Sequence, residues 1–431
     1  MHLSWLVSPC PASQFQGMWP SPRTSAWRQL CLYGQYDVQL AYENGSASWP
    51  FHATQNAVIL PLHPILRLRT LYATTNSLTI TDDNSQTKTV TAQCYCKTLH
   101  FTLELKTSDL PLSTHLCHCS ICRHTHGTLC VFHAQLPGGI TPKFVAPSGL
   151  DKLTGYRWPG CASTRYFCST CGCHMGDVSP EDGTWVISTS LFVDNDPVYQ
   201  IKSHVYTDSA PGGGLNDFLP RIGDREMKVW NPKDGSGALR EIKAEYGADG
   251  GECLRAECHC GGVSFTFPRP TEADLNDPDM KEFVSPTDKR KWVASIDACD
   301  TCRLTSGAHV ISWTFIPLDR CEPKIKRDDL LIGTMKTFES SPGVLRSFCG
   351  VCGADVFYSC EERTNIVDVA VGILRAPEGV RAENWLVWRA GRLGWIKDGL
   401  RYNEELLKSL AEGFKDWSIK KYGNDGTSIS V

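Results

Sequence analysis

Short runs rich in β-branched and aromatic residues alternate along most of the chain with polar turns that contain Gly, Pro and Asp. Runs of this composition between turn signals are typical of short strands in a sheet-rich domain. The clearest predicted strands cover residues 99–105, 184–190, 263–267 and 310–316. The pattern therefore predicts a mostly β protein.

One convincing helical pattern lies near the C-terminal end. Asn403 is suited to cap a helix, and five apolar residues that follow it fall on one face: Leu406, Leu407, Leu410, Phe414 and Trp417. We predict a helix in residues 396–431, with its apolar face docked on the second half of the chain.

Three cysteine motifs occur twice in the same order, which indicates an internal repeat. The pairs are residues 94–96 and 258–260, residues 117–123 and 297–303, and residues 165–172 and 346–353. The offset between the copies is 164 at the first motif, 180 at the second and 181 at the third. Residues 268–291, where the increase of 16 falls, are polar and contain Pro, as expected of a loop insertion. We predict two tandem domains, residues 89–220 and 252–395, joined by a Gly-rich linker, residues 221–251. Residues 1–88 are predicted to be a poorly ordered extension.

Charge and cysteine content narrow the possible functions. The formal net charge of −4 provides no excess positive field, so nucleic acid and anionic membranes are not expected partners. The apolar run at residues 57–71 is interrupted by Pro and Arg, and no membrane span is predicted. No secretory signal is recognisable at the N-terminus, so a reducing compartment is expected, the cytoplasm or alternatively the nucleus. There, the 21 cysteines indicate metal sites rather than disulfides.

Each copy carries one Cys-x-Cys pair and one Cys-x-x-Cys pair, which together supply the four thiolates of a structural zinc site. The predicted ligands are Cys94, Cys96, Cys168 and Cys171 in the first copy and Cys258, Cys260, Cys349 and Cys352 in the second. The alternative for Cys168-x-x-Cys171 is a redox dithiol, but such a motif normally opens a helix, whereas Gly172 and β-like sequence follow here.

A third group of cysteines differs from these pairs. Cys117, Cys119 and Cys122 provide three thiolates from one loop and leave a fourth zinc position open, as in catalytic sites. Three thiolates weaken the Lewis acidity of zinc and favour exchange of a thiol ligand over activation of water. The alternative is a purely structural site, closed by one of three nearby histidines, namely His118, His124 or His126.

The second copy has a weaker version of this group. Asp297 replaces the first cysteine, so the ligand set is Asp297, Cys299 and Cys302, a harder combination expected to hold zinc poorly or not at all. Arg165 and Arg346 precede a predicted zinc ligand by three residues in their respective copies. They are expected either to neutralise thiolates or to hold a substrate carboxylate.

The motifs resemble those of the glutathione-dependent formaldehyde-activating enzyme (Gfa) family, which also includes centromere protein V. The resemblance rests on Cys-x-Cys, then Cys-x-Cys-Ser-x-Cys-Arg, then Arg-x-Phe-Cys-x-x-Cys-Gly. It implies two tandem β-tent (Mss4-like) zinc domains, each with a structural zinc, and a second zinc on the middle cysteines. The family's reaction joins glutathione to formaldehyde and is classed as a carbon-sulfur lyase reaction in reverse. By this resemblance Cys117, Cys119 and Cys122 are the catalytic residues, and the partners are a thiol such as glutathione and an aldehyde.

The sequence departs from the family pattern at two points. Lys97 follows the first Cys-x-Cys, where the family usually has Gly, and Asp297 occupies a thiolate position in the second copy. A catalytic zinc is therefore expected in the first copy. Two other functions stay open: a non-catalytic, zinc-stabilised interaction or scaffold protein, and a thiol-based sensor that uses the remaining cysteines.

Overall fold

Strands dominate both halves of the computed structural model, which describes residues 86–193, 198–233 and 241–424. The strands of the first half are β1 (Thr87–Gln93), β2 (His100–Lys106), β3 (Leu112–Cys117), β4 (Val131–Gln135), β5 (Lys143–Phe144), β6 (Leu153–Tyr156), β7 (Thr164–Cys168), β8 (His174–Val178), β9 (Trp185–Ser188), β10 (Tyr199–Val205), β11 (Arg221–Ile222), β12 (Arg225–Glu226) and β13 (Lys228–Trp230). Those of the second half are β14 (Glu245–Tyr246), β15 (Glu252–Glu257), β16 (Ser264–Pro268), β17 (Trp292–Asp297), β18 (Ile311–Pro317), β19 (Met335–Ser341), β20 (Val344–Cys349), β21 (Asp355–Cys360), β22 (Ile366–Ala370) and β23 (Leu386–Trp388). The α-helices are α1 (Ser120–His126), α2 (Glu272–Asn276), α3 (Asp300–Ser306), α4 (Ile396–Gly399) and α5 (Glu404–Tyr422).

The main sheets of the two halves have the same strand order. In the first half the order is β13-β10-β3-β4-β9-β8-β7-β6, and in the second it is β23-β17-β18-β22-β21-β20-β19. From β10 and β23 onward, each strand has its counterpart in the other sheet, and the first neighbouring pair, β10 with β3 or β23 with β17, is parallel in both. The predicted mostly β architecture is confirmed, and the sequence repeat corresponds to a repeated sheet.

Several segments are more structured than their composition suggests. The predicted linker contains the short strands β11 to β14, of which β13 extends the first main sheet and β14 pairs with β15. The predicted loop insertion contains α2, and Thr271 and Asp274 form a capping box at the N-terminus of this helix. Most of the predicted N-terminal extension, residues 1–85, lies outside the described residues.

The predicted C-terminal helix is α5, and the Asn403 side chain caps it by accepting a hydrogen bond from the Leu406 amide at 3.0 Å. Its apolar face contacts both halves and not the second alone. The Phe414 ring lies 4.5 Å from the ring of Phe218 in the first half and 6.1 Å from that of Trp388 in the second. No helix in the described part of the chain has both the length and the apolar character needed to cross a bilayer.

The largest hydrophobic core contains residues of both halves. The largest cluster of buried apolar side chains contains Phe132 and Phe167 of the first half together with Trp292 and Phe348 of the second. Because burial of apolar surface is the main favourable term in folding, we expect the halves to stabilise each other.

Candidate metal centres

The first four-cysteine group joins two turns that are distant in sequence. Cys94 and Cys96 lie between β1 and β2, whereas Cys168 ends β7 and Cys171 lies in the turn to β8. The four sulfurs are all within 4.8 Å of one another. The Cys96 sulfur is 3.5 Å from that of Cys94 and 3.6 Å from that of Cys168. Tetrahedral zinc with Zn–S bonds of about 2.3 Å separates its sulfurs by about 3.8 Å. The spacing and the chemistry of the donors therefore fit zinc.

The second half repeats this arrangement. Cys258, Cys260, Cys349 and Cys352 form the corresponding group, again with all sulfurs within 4.8 Å. The Cys260 sulfur lies 3.5 Å from both Cys258 and Cys349. Lys97 adopts the left-handed backbone conformation that Gly261 has in the second half, with φ of 61° and 73° respectively. The departure from the family pattern at Lys97 therefore leaves the turn intact.

Cys117, Cys119 and Cys122 also come together, with their sulfurs within 4.8 Å. Cys117 ends β3, Cys119 caps α1, and the Cys119 sulfur accepts a hydrogen bond from the Cys122 amide at 3.3 Å. The three side chains are buried, with exposures of 3 to 6%. Hydrogen bonds from the thiols of Cys117 and Cys122 lower the pKa of Cys119 well below its ordinary value. A cluster that stabilises negative charge is suited to a cation.

The three histidines considered as a fourth ligand face other groups. His118 bonds through Nε2 to Nδ1 of His204 at 2.9 Å, and the His126 ring stacks on that of His174 with centroids 3.6 Å apart. His124 Nε2 lies 3.5 Å from the Arg123 guanidinium. In the described ranges, the metal-ligating group at this position consists of the three cysteines alone. Among the residues that the structure describes, none therefore supplies a fourth donor to this group.

Arg165 places a buried positive charge beside the three cysteines. Its side chain is 11% exposed and lies 4.0 Å from the carboxylate of Asp177. Burial by itself would lower the pKa of Arg165, but the Cys122 sulfur, Asp177 and the other two cysteines raise it above its ordinary value. In the described part of the chain, its Nε and Nη1 atoms have no hydrogen-bond acceptor. The guanidinium can therefore donate hydrogen bonds to an anionic ligand.

In the second half, the ligand atoms of the corresponding group already have hydrogen-bond partners within the protein. Asp297, Cys299 and Cys302 have their ligand atoms within 4.8 Å, but Asp297 already accepts a hydrogen bond from the Cys299 amide at 2.6 Å. Arg346 donates to the Cys302 sulfur at 3.5 Å and stacks on the Tyr358 ring at 4.9 Å. Burial raises the pKa of Asp297 to about 7. The group is assembled, but its charges are already partly neutralised within the protein.

One aromatic residue next to each three-ligand group carries no signal in the sequence motifs. Tyr206 packs against the cluster formed by the three cysteines with Val131 and Val205. Trp395 directly follows Gly394, which bridges to Asp297. Both residues have positive φ, but 395 − 206 = 189 matches none of the motif offsets, so the repeat gave no signal.

Comparison with known families assigns both halves to the same family. The family described as "Glutathione-dependent formaldehyde-activating enzyme" (GFA) matches residues 89–209 and 285–389, which together cover just over half of the chain. A comparison with curated proteins found no match. The family match supports a function related to glutathione and formaldehyde, and the cysteine groups could hold metal ions. With two matching segments and the same sheet in each, the chain belongs to the glutathione-dependent formaldehyde-activating enzyme family.

Proposed function

We propose that this protein is a zinc-dependent enzyme of the carbon-sulfur lyase type, which forms or cleaves adducts between glutathione, or a similar thiol, and an aldehyde such as formaldehyde. The observation that carries the proposal is the group Cys117, Cys119 and Cys122, which presents three sulfurs without a fourth protein donor among the described residues. A scaffold site would be expected to satisfy its metal completely with protein ligands.

Zinc would be held by three sets of residues. Two are the four-cysteine groups at Cys94, Cys96, Cys168 and Cys171 and at Cys258, Cys260, Cys349 and Cys352, where it would stabilise the fold. The third is the catalytic group, where bound zinc would lower the pKa of an incoming thiol. Asp297, Cys299 and Cys302 are a further possible set, and Asp297 makes it the weakest.

The protein's own residues would prepare the site for a thiolate. The Arg165 guanidinium lies beside the three sulfurs, which together with Asp177 raise its pKa, and it retains donors for a substrate carboxylate. Val131 and Val205 line the cysteine group and limit the access of water. The reaction forms one C–S bond, opens the carbonyl double bond and returns the thiol proton to the aldehyde oxygen. It therefore requires no oxidant, reductant or further reactant.

The test is exchange NMR on the zinc-loaded protein with glutathione, formaldehyde and their adduct at equilibrium. We expect exchange faster than the spontaneous rate, lost in Cys119→Ser and retained in the matched variant Cys299→Ser. Exchange at the spontaneous rate in the wild type would contradict the proposal and favour the scaffold function. Equal loss in both variants would instead indicate that catalysis depends on the second half.

A further inference from the structure

An aromatic residue stands at the same structural position in each half, next to the three-ligand group. In the first half, Val205 of β10 pairs with Cys117, and Tyr206 is the next residue. The His118 amide donates to the carbonyl of Val205 at 2.9 Å. Tyr206 therefore directly follows Val205, the residue that pairs with the first cysteine ligand.

The second half repeats this connection without sequence similarity. Gly394 forms a parallel bridge with Asp297, and the Ala298 amide donates to the Gly394 carbonyl at 2.9 Å. Trp395 is the next residue. Asp297 occupies the position of Cys117, so Trp395 is the counterpart of Tyr206.

The two aromatic residues also share a local conformation. Tyr206 has φ of 59° and Trp395 has φ of 51°, both in the left-handed region. Each caps a short helical segment, and each carbonyl accepts a hydrogen bond from the amide three residues later, Ser209 at 3.1 Å and Asp398 at 2.9 Å. The main-chain geometry has been kept where the sequence has diverged.

Bulky side chains rarely occupy the left-handed region, where Gly would be free of strain. Residues in sparsely populated backbone conformations cluster at active sites and ligand sites, where the surrounding structure holds them in place. Burial does not account for Trp395, since it is 69% exposed. Tyr206 is half-buried and packs against the cluster that contains the three cysteines.

We propose that Tyr206 and Trp395 contact the ligand of their respective sites, and that this ligand is a small anionic thiol of the glutathione type. The thiol sulfur completes the three-ligand group, and the methylene groups of the ligand lie against the aromatic ring. In the first half a ligand carboxylate pairs with Arg165. The second half then also binds a thiol, at Asp297, Cys299 and Cys302. For the first half the proposal rests on the function proposed above.

The second site is tested by ¹⁹F NMR of the full-length, zinc-loaded protein labelled with 5-fluorotryptophan. The Trp395 resonance is identified by its absence in Trp395→Phe. We expect this resonance to shift with glutathione until saturation and to stay in place with S-methylglutathione, which lacks a free thiol. A Trp395 resonance that does not respond to glutathione overturns the proposal for the second half.

The first site is tested with Tyr206→Gly and, as the conservative control, Tyr206→Phe. Tyr206→Gly relieves the left-handed conformation, so its urea midpoint should equal or exceed that of the wild type. Its KM for glutathione should rise about threefold to tenfold, the range expected for one lost aromatic contact, with kcat little changed. Tyr206→Phe should keep the wild-type KM. A lower urea midpoint with unchanged KM in Tyr206→Gly would show that Tyr206 is only a packing residue.

The experiments distinguish a failure of the proposed enzyme function from a failure of the proposed contact between Tyr206 and the ligand. If the wild type shows no turnover, the proposed enzyme function fails. The Kd of glutathione for the Tyr206 variants, measured by calorimetry on zinc-loaded protein, then replaces KM. A Kd that is the same in Tyr206→Gly and Tyr206→Phe overturns the contact at the first site, and a higher Kd in Tyr206→Gly alone supports it.

Discussion

Substitution of Gly127 tests whether the two halves depend on each other at their metal-site helices. Gly127 ends α1 with φ of 76° and touches the main chain of Asp355, three residues past the last ligand cysteine of the second half. The second half has the reciprocal contact, between Gly307 after α3 and His174. Alanine at position 127 would place its Cβ on the Asp355 carbonyl oxygen. Main-chain atoms cannot move aside by changing a rotamer, so the halves would have to separate locally.

Gly423 provides a matched control for the conformational part of this effect. It follows α5 with φ of 73°, and a Cβ built there meets no atom within 4 Å. Left-handed alanine costs about 1–2 kcal/mol, offset by about 0.5–1 kcal/mol because alanine is less flexible than glycine in the unfolded chain. Both substitutions share this net cost of about 1 kcal/mol. Gly127→Ala carries an additional overpacking cost of about 1–3 kcal/mol.

Urea unfolding of the zinc-loaded protein, followed by tryptophan fluorescence, measures the difference. We expect Gly127→Ala to lower the free energy of unfolding by about 1–3 kcal/mol more than Gly423→Ala does, with similar m values. Gly307→Ala should resemble Gly127→Ala. Equal effects of the Gly127 and Gly423 substitutions would refute the close contact between the halves.

Three further predictions concern single residues. Lys97→Gly should stabilise the protein by up to about 1 kcal/mol in thermal or urea unfolding, because it removes the left-handed lysine, and Gly261→Lys should have the opposite effect. Arg165→Met should weaken glutathione binding in calorimetry more than Arg346→Met, because Arg165 has buried donors without acceptors among the described residues, whereas Arg346 donates to the Cys302 sulfur; equal effects would contradict this. Burial raises the pKa of Asp297 in the folded protein to about 7, from an ordinary value of 3.8. Ionisation of Asp297 therefore lowers the free energy of unfolding progressively as the pH rises from 3.8 to 7, and the full destabilisation is present above pH 7. Asp297→Asn should therefore stabilise metal-free protein at pH 8 relative to pH 5, and a pH-independent effect in urea unfolding would contradict the burial argument.

The cysteine groups could be predicted from the sequence because the evidence for them is local and occurs twice. Close pairs such as Cys168 and Cys171 suggest a shared ion, and the repeat at Cys349 and Cys352 shows which pairs belong together. Strands were also predictable where one face is buried, as in β2, whose bounds differ by one residue from the predicted run.

Other features depend on long-range geometry that the spacing does not encode. All three residues of β13 are exposed, so this strand has no buried face to mark it within the predicted linker. The sequence could not show whether one of the nearby histidines closes the three-cysteine group. His118, for example, bonds instead to His204, which lies 86 residues away in sequence. The contact between the halves is likewise invisible in the motifs.

The contact is most clearly seen in two reciprocal hydrogen bonds. The Tyr95 amide, inside the first Cys-x-Cys turn, donates to the Leu304 carbonyl of α3 at 2.9 Å. The His259 amide, inside the second such turn, donates to the His124 carbonyl of α1 at 3.0 Å. Each four-cysteine group thus supports the helix that carries the other half's cysteine ligands. This arrangement gives the second half a positioning role even where its own ligand set is weak.

The central claim is that Cys117, Cys119 and Cys122 hold a metal with a position open to a thiol. ¹¹³Cd NMR of cadmium-substituted protein tests it most directly, because each site gives its own resonance. We expect a resonance that is absent in Cys119→Ser and that shifts when glutathione is added to the wild type, while the resonances of the two four-cysteine sites stay in place. Absence of any resonance that depends on Cys119, or one that glutathione leaves unmoved, would show that this group does not hold a metal open to a thiol.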